Sequence, residues 1–312
     1  QVILISGAAG SIGSEIVRQV IKYNPNKVIL LDQAESELYN LNQELISNNK
    51  IINWEIVVGD ITREERMKKL FEHFKPKIIF HAAAYKHVPL MESNPSEAIK
   101  TNVQGTKILA DLSVKNSVKK FILISTDKAV NPTNIMGASK RIAEMYCQSL
   151  KEESKTKFIT TRFGNVLGSN GSVIPLFKKQ LENGGPITVT DPNVTRYFMT
   201  IPEACQLVIE ASTIGRGGEI YVFDMGKSIK IIDLAKKMIQ LSGLVIEKDI
   251  SIKITGLRPG EKMYEELLSN QENTIPTHHP KILIGKVKLI EHDQINKSLE
   301  KLISYIQEQK NE

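Results

Sequence analysis

The chain has 312 residues, of which 41% are hydrophobic, enough to bury the core of one large domain or two modest ones. Its 41 Lys and Arg residues exceed its 35 Asp and Glu residues only slightly and are spread along the sequence, so no basic arm predicts nucleic-acid binding. Cys147 and Cys205 lie in apolar helical patterns, and no Cys or His cluster has the spacing of a metal site. No apolar run approaches the roughly 18 residues of a membrane span, so we expect this segment to make no membrane contact and to be cytoplasmic.

The first 32 residues have the pattern of a dinucleotide-binding βαβ unit. A buried strand is predicted over Val2–Ser6, a helix with apolar residues at helical spacing follows, and a second apolar run ends in Asp32. Glycines between strand and helix permit a tight turn and let a pyrophosphate approach the helix N-terminus. The residues of this turn that we predict to contact the cofactor are Gly7, Ala9, Gly10, Ser11, Ile12 and Gly13.

Asp32 predicts which dinucleotide binds. A carboxylate at this position accepts hydrogen bonds from a ribose 2′-hydroxyl and repels a 2′-phosphate. No Arg follows in residues 33–36 to receive such a phosphate. We therefore predict NAD rather than NADP.

Strands and helices continue to alternate along the next part of the chain. Predicted strands at Trp54–Val58 and Ile78–Phe80 end in small or polar residues, which are typical of sites where a cofactor lies against the backbone. The further residues predicted to contact NAD are Asp60, Ile61, Ala82, Ala83, Ala84, Tyr85, Asn102 and Ser125. Lys86 and His87 are candidates for substrate contact, although a structural role for His87, as for His81, stays open.

The predicted strand Phe121–Ile124 delivers a polar cluster to the edge where open α/β sheets bind ligands. Thr126, Asp127 and Lys128 follow it, and the adjacent acid and amine predict proton-transfer chemistry such as an elimination. A solvated ion pair is the alternative.

The later chain has a less regular pattern and predicts a second lobe. We predict an α/β fold: a Rossmann-type doubly wound parallel sheet over residues 1–165, to which parts of the later chain return, and a smaller α/β substrate-binding lobe over residues 166–312. Arg196 and Arg258 are candidate clamps for a pyrophosphate, with surface salt bridges as the alternative. The other candidates for substrate contact are Arg162, Asn165, Ser172, Val173 and Glu261.

Together these motifs resemble the extended short-chain dehydrogenase/reductases, and specifically the UDP-N-acetylglucosamine 4,6-dehydratases of capsule and glycan biosynthesis. The resemblance covers nearly the whole chain. The glycine motif is shared by many reductases, whereas Thr126-Asp127-Lys128 is more restricted. Met136 departs from the wider superfamily, which has a catalytic Tyr four residues before the Lys that is Lys140 here. The larger, membrane-anchored members share this Met.

This resemblance implies a reaction on UDP-N-acetylglucosamine in which NAD takes hydride from C4 and returns it to C6. Lys128, kept neutral part of the time by burial beside cofactor charge, removes the C5 proton, and Asp127 protonates the departing C6 hydroxyl, although the two roles could be exchanged. Thr126 and Met136 complete the catalytic site, and Lys140 binds the nicotinamide ribose. A 4-epimerase, a dehydrogenase or a non-catalytic NAD-binding sensor are the alternatives.

Two further expectations concern the whole protein. The chain begins with Gln1 directly at a predicted strand, so we interpret it as a piece of a longer protein that is anchored in the bacterial inner membrane. We also expect a homodimer or a higher homo-oligomer.

Overall fold

The structure, a computed structural model, describes residues 1–47, 53–267, 274–287 and 289–307. The strands are β1 (Val2–Ser6), β2 (Lys27–Asp32), β3 (Trp54–Val58), β4 (Ile78–His81), β5 (Lys120–Ile124), β6 (Lys157–Arg162), β7 (Asn165–Leu167), β8 (Ile187–Val189), β9 (Thr195–Arg196), β10 (Phe198–Thr200), β11 (Ile220–Phe223), β12 (Ile229–Lys230), β13 (Ile252–Ile254), β14 (Thr274–Pro276) and β15 (Ile282–Gly285). The α-helices are α1 (Ser11–Val20), α2 (Glu35–Ser47), α3 (Glu64–Phe74), α4 (Val88–Ser93), α5 (Pro95–Ala98), α6 (Thr106–Lys115), α7 (Ile135–Ser149), α8 (Val173–Glu182), α9 (Ile201–Ile214), α10 (Ile231–Leu241) and α11 (His292–Gln307). A π-helical segment spans Ile99–Gly105, and 3-10 turns span Ile21–Tyr23 and Asp127–Ala129.

One large sheet organises the described residues, with the strand order β14-β15-β11-β6-β5-β4-β1-β2-β3. From β3 to β11 all pairs are parallel, whereas β15 runs antiparallel to β11 and β14 antiparallel to β15. The central strands read as continuous apolar runs because helices cover both faces of the sheet. The predicted Rossmann-type doubly wound sheet is confirmed.

The core consists of two layers, one on each face of this sheet. Helices α1, α2 and α9 contribute buried side chains to one layer, and α3, α6, α7 and α11 contribute to the other. Because β11, β15, α9 and α11 come from the later chain, residues on both sides of position 165 form this body. The division into two domains at that position stays a prediction.

A smaller cluster lies apart from these two layers. Phe177 from α8, Ile187 and Val189 from β8, and Ile231 and Ile239 from α10 are buried together in it. Strand β13 pairs in parallel with β8 beside the cluster. Across the described ranges, no helix is both long enough and apolar enough to cross a bilayer.

The order of the strands places a crevice between β1 and β4. The chain proceeds from β1 outward to β2 and β3, and then returns to β4 on the other side of β1. At such a switch point the loops that follow two adjacent strands diverge, and ligands bind between them. The loops after β1 and β4 are the predicted glycine turn and the Ala-rich loop.

Candidate functional site

The glycine turn lies so close to the loop after β4 that side chains are excluded. Gly7 has φ +71°, and a Cβ atom there would lie 2.5 Å from the backbone nitrogen of Ala83. A Cβ atom on Gly13 would lie 1.9 Å from the carbonyl oxygen of Gly7. Helix α1 begins at Ser11, directly after this turn. The close packing therefore presents the backbone N–H groups of a helix N-terminus to the crevice.

Asp32 lies beside this turn at the end of β2. Its Oδ2 accepts a hydrogen bond of 3.0 Å from the backbone of Ala9, and its Oδ1 accepts one of 3.0 Å from that of Ala34. A cavity of about 290 Å³ opens here. The predicted cofactor residues that line it are Gly7, Ala9, Gly10, Asp32, Asp60, Ile61, Ala82, Ala83, Ala84 and Tyr85.

A second cavity of about 640 Å³ continues from the crevice to the smaller cluster that contains Phe177, Val189 and Ile231. The predicted site residues that line it include Ser11, Ile12, Gly13, Tyr85, Lys86, His87, Ser125, Thr126, Lys128, Met136, Lys140, Asn165, Ser172, Val173, Arg196, Arg258 and Glu261. Residues that are far apart in the sequence thus line one cavity.

Lys128 is the central charge of this larger cavity. Its Nζ donates hydrogen bonds to Oδ1 of Asp127 at 3.0 Å and to Oδ1 of Asn165 at 3.3 Å, and lies 3.7 Å from Oε1 of Glu265. Burial lowers the pKa of Lys128, but the two carboxylates outweigh it, so that its pKa is raised. The expectation that burial beside cofactor charge keeps the amine neutral part of the time stays a prediction.

Asp127 does not reach the cavity. Its carboxylate is fully buried in the 3-10 turn, where Oδ1 accepts a hydrogen bond from the Thr126 hydroxyl at 2.8 Å. Its Oδ2 has no hydrogen-bond partner among the described residues. The expectation that Asp127 contacts the substrate is therefore corrected: its carboxylate is buried behind the Lys128 amine and accepts a hydrogen bond from it.

Met136 and Lys140 lie one turn apart on α7 and both line the large cavity. Met136 is 2% exposed and packs with Met91 and Ala98. Burial lowers the pKa of Lys140 to about 8, with Glu144 opposing the shift. An apolar methionine thus stands where the wider superfamily has its catalytic Tyr. The Lys140 amine loses its charge more readily than a solvated amine.

Asn102 orders this region without lining either cavity. From within the π-helical segment it donates hydrogen bonds to the carbonyl of Tyr85 at 3.0 Å and to Oγ of Ser139 at 2.9 Å. Its Oδ1 accepts one from the backbone N–H of Tyr85 at 2.8 Å. We correct its predicted cofactor contact to a positioning role: Asn102 joins the loop after β4 to helix α7.

Arg162 is not a substrate ligand in this structure. It is fully buried, and its guanidinium binds the carboxylate of Glu144 through Nε at 2.8 Å and Nη2 at 2.7 Å. Glu144 also accepts hydrogen bonds from Ser125 and Arg141. The predicted substrate contact is therefore wrong, because this pair holds β6 against α7 inside the protein.

His81 likewise has a structural environment. It is fully buried, its Nδ1 lies 2.7 Å from Oγ of Ser6, and its Nε2 lies 2.8 Å from Oγ1 of Thr106. Burial lowers its pKa to about 3. This imidazole is therefore neutral at physiological pH.

The two candidate phosphate ligands differ in how much of each side chain is available. Arg196 is buried and its guanidinium donates to the carbonyls of Thr195, Lys262 and Met263 and to Glu261. Arg258 has a side chain that is 57% exposed and pairs with Oε2 of Glu261 at 3.2 Å. Arg258 can exchange this partner for a phosphate, whereas Arg196 serves mainly to hold the loop.

Glu265 is the acidic residue of the cavity that sequence reasoning missed. It lies four residues after Glu261 in the same polar loop, and it is 6% exposed. The only signal in the sequence was this spacing within an acidic stretch, which is also typical of a solvated loop.

Comparison with known proteins gives the family. Residues 3–287 match the family described as "Polysaccharide biosynthesis protein". The chain belongs to this family. A relative in Staphylococcus aureus, "Capsular polysaccharide biosynthesis protein CapD", is 53% identical over 99% of this chain and 52% of its own length. The chain therefore spans about half the length of this polysaccharide biosynthesis relative.

Two further relatives and one solved structure are also similar to this chain. A "UDP-N-acetylglucosamine 4,6-dehydratase (inverting)" of Campylobacter jejuni is 34% identical over 87% of this chain and 78% of its own. A "UDP-glucose 4-epimerase" of Rickettsia prowazekii is 33% identical over 86% of this chain and 78% of its own. The solved structure of Pen from Bacillus thuringiensis is 33% identical, covers 96% of this chain and 97% of its own, and superposes with a TM-score of 0.84. Two of these relatives are thus named as enzymes that act on UDP-sugars.

Proposed function

We propose that the chain catalyses the NAD-dependent 4,6-dehydration of UDP-N-acetylglucosamine to a UDP-4-keto-6-deoxy-N-acetylhexosamine for bacterial glycan or glycoprotein biosynthesis. The observation that carries this proposal is the charge cluster at Lys128, which lies in the large cavity beside an apolar Met136. An elimination needs an acid and a base at adjacent carbons, and this cluster supplies both. The Campylobacter relative supports the type of reaction.

The crevice fits a dinucleotide. A Cβ atom at Gly7 or Gly13 would overlap the backbone, so the turn leaves room for a pyrophosphate at the N-terminus of α1. The Asp32 carboxylate, at the edge of the adjoining cavity, would bind the adenosine ribose, and Lys140 would bind the nicotinamide ribose. When bound, NAD supplies a hydride acceptor for C4 of the sugar and a hydride donor for C6.

We propose that the substrate binds in the part of the large cavity that Arg258 lines. Arg258 would bind the diphosphate, because its exposed guanidinium matches phosphate oxygens in a bidentate manner. The hexose would then extend toward Thr126 and Lys128. Asn165, which already accepts a hydrogen bond from Lys128, fixes the direction of that amine.

Lys128 and Asp127 would share the proton transfers of the elimination. As a neutral amine Lys128 would remove the C5 proton, and as an ammonium it would instead protonate the departing C6 hydroxyl, with Asp127 taking the other role. Thr126 and Asp127 hold the Lys128 amine in place, and the Asp127 carboxylate would receive the proton of the C4 hydroxyl by relay through that amine.

Incubation of the chain with UDP-N-acetylglucosamine and NAD, followed by mass spectrometry, tests this function. We expect the sugar to lose one water with no accumulation of reduced cofactor. A product of unchanged mass but altered C4 configuration would identify an epimerase, which the Rickettsia relative makes the second candidate. Loss of two hydrogens with accumulation of reduced cofactor would identify a dehydrogenase, and unchanged sugar would identify a sensor.

The whole protein is the subject of two further proposals, since this chain spans about half of the Staphylococcus relative. We propose that the remainder anchors the protein in the bacterial inner membrane with this segment on the cytoplasmic side. We also propose that the protein forms a homodimer or a higher homo-oligomer. Membrane fractionation of the full-length protein and light scattering of this segment test the two proposals separately.

A further inference from the structure

Lys262 lies in the loop of residues 255–267 and reaches the 3-10 turn Asp127–Ala129, which carries the proposed catalytic pair. Its Nζ donates hydrogen bonds to the carbonyl of Val130 at 3.1 Å and to that of Asn131 at 2.7 Å. Val130 is the residue that ends the turn. Carbonyl groups at the end of a helical turn have no partner within it, and a Lys side chain can satisfy them. The Lys262 ammonium therefore holds the turn from its C-terminal side.

The backbone of Lys262 is fixed to the residues that would bind the diphosphate. Its carbonyl accepts a hydrogen bond of 2.8 Å from Nη2 of Arg196, a buried residue of β9. The same guanidinium lies 3.3 Å from Glu261, and Glu261 also pairs with Arg258 at 3.2 Å. Lys262 thus connects the neighbourhood of Arg258 with the turn after β5.

Asn131 is held in an unfavourable backbone conformation by the same loop. Its φ is +42°, in the left-handed region. This region costs less for Asn than for most residues, but it persists only where the surrounding contacts enforce it. Lys262 binds the Asn131 carbonyl, and Oε2 of Glu266 accepts a hydrogen bond of 2.7 Å from the Asn131 side chain. Loss of the Lys262 ammonium should therefore let this segment relax and displace Lys128.

We propose that Lys262 is a positioning residue, which holds the Asp127-Lys128 pair in place for proton transfer and couples that position to a diphosphate bound at Arg258. The proposal rests on the dehydration proposed above. Binding energy from a remote part of the substrate would then serve to orient the groups at the reacting carbons. Lys262 does not line the large cavity, so it acts on the turn and not on the sugar.

Lys262→Met is the decisive variant, and Lys262→Arg keeps the positive charge and the ability to donate to two carbonyls. Lys253→Met is the matched control. Lys253 lies in β13, directly before the same loop, is exposed and lines neither of the two cavities.

The position of the turn is measured without reference to catalysis, by hydrogen–deuterium exchange and mass spectrometry of a peptide that covers residues 125–135. This peptide contains the amides of Ala129 and Val130, which donate hydrogen bonds of 3.2 and 3.0 Å within the turn. Exchange is recorded with and without saturating UDP. The dissociation constant of UDP and the kcat and KM of water loss from UDP-N-acetylglucosamine are measured on the same proteins.

We expect Lys262→Met to raise the exchange rate of this peptide by about tenfold or more, while peptides elsewhere in the chain match the wild type. Its kcat should fall by about 10- to 100-fold, since a displacement of about 1 Å can have this effect. The dissociation constant of UDP should stay within about threefold of the wild type. UDP should slow the exchange of the peptide by about threefold or more in the wild type and not in Lys262→Met. Lys262→Arg should recover most of kcat, and Lys253→Met should match the wild type.

Unchanged exchange and unchanged kcat in Lys262→Met overturn the proposal. So does a uniform rise in exchange over the whole chain, which indicates a general role in stability, and so does weaker UDP binding with unchanged kcat, which indicates a substrate ligand. An equal effect of UDP in the wild type and in Lys262→Met overturns the coupling. A wild-type protein that leaves the sugar intact refutes instead the proposed function, and the exchange of the peptide still tests whether Lys262 holds the turn.

Discussion

Replacement of Arg162 by Met tests the assignment of this residue to the interior. The guanidinium makes two hydrogen bonds to Glu144, at 2.8 and 2.7 Å, and neither side chain is exposed. Removing one partner of a buried ion pair typically costs about 3–5 kcal/mol, because the other charge is left uncompensated. In the variant, Glu144 retains Ser125 and the 21%-exposed Arg141 as donors. We therefore expect Arg162→Met to lower the free energy of unfolding by about 3 kcal/mol, near the lower limit of this range.

The free energy of unfolding is measured with urea, using the fluorescence of Trp54, the single tryptophan in the chain. At about 2–4 °C per kcal/mol for a domain somewhat smaller than this one, the midpoint of thermal unfolding should fall by about 6–12 °C. Arg141→Met is the control, since its partly exposed pair should contribute no more than about 1 kcal/mol. Combining Glu144→Met with Arg162→Met should recover most of the loss, because no buried charge then remains unpaired.

The difference in unfolding free energy between the wild type and Arg162→Met should depend on pH. Burial raises the pKa of Glu144, but Arg162 outweighs it, and the folded-state pKa is lowered from the ordinary value of 4.5. The stability that the ion pair contributes is therefore complete above that value and is lost as pH falls through the lowered pKa. The gap between wild type and Arg162→Met should narrow in acid. A variant as stable as the wild type that fails only to bind UDP-N-acetylglucosamine would refute the assignment.

Four further predictions concern the cofactor and the cavity. Asp32→Ala should lower the preference for NAD over NADP, measured as a ratio of dissociation constants, because the repulsion of a 2′-phosphate is removed. Gly13→Ala should weaken NAD binding at least about tenfold in titrations, since its Cβ would lie 1.9 Å from the Gly7 carbonyl oxygen. Because the pKa of Lys140 is lowered from 10.5 to about 8, the protein should gain stability as pH rises through this interval, and Lys140→Met should abolish this gain in urea unfolding. Met136→Tyr should raise the rate of water loss by less than about tenfold, since Lys128 and its carboxylates perform the proton transfers.

The sheet and most helices could be predicted from the sequence because their signals are local. The predicted strands Val2–Ser6 and Trp54–Val58 form with those same limits. The acid–amine pair at Asp127 and Lys128 was also visible. The sequence did not indicate that the 3-10 turn sends one side chain inward and the other to the cavity.

The errors concern residues whose role depends on a partner far away in the chain. Arg162 at the end of a strand looked like a ligand-binding residue, but Glu144 on α7 neutralises it, and periodicity does not report which helix face meets which strand end. Asn102 lies in a π-helical segment, and no periodicity of apolar residues in the sequence predicts such a segment. Glu265 reaches Lys128 only because the polar loop folds back over the carboxyl end of β5.

The contrast between the two buried carboxylate clusters gives the strongest physical reason to place chemistry at Lys128. Glu144 is satisfied by donors from Ser125, Arg141 and Arg162, which is what a cluster kept for stability requires. Asp127 and Glu265 each retain one buried oxygen with no partner in the described part of the chain, and leaving such an atom unpaired typically costs about 1–3 kcal/mol. The Glu144 cluster is thus fully hydrogen-bonded. The cluster around Lys128 keeps unpaired oxygens beside a cavity and is available for proton transfer. Since Met136 supplies no phenol there, we expect the open cluster to hold the protons of the proposed dehydration.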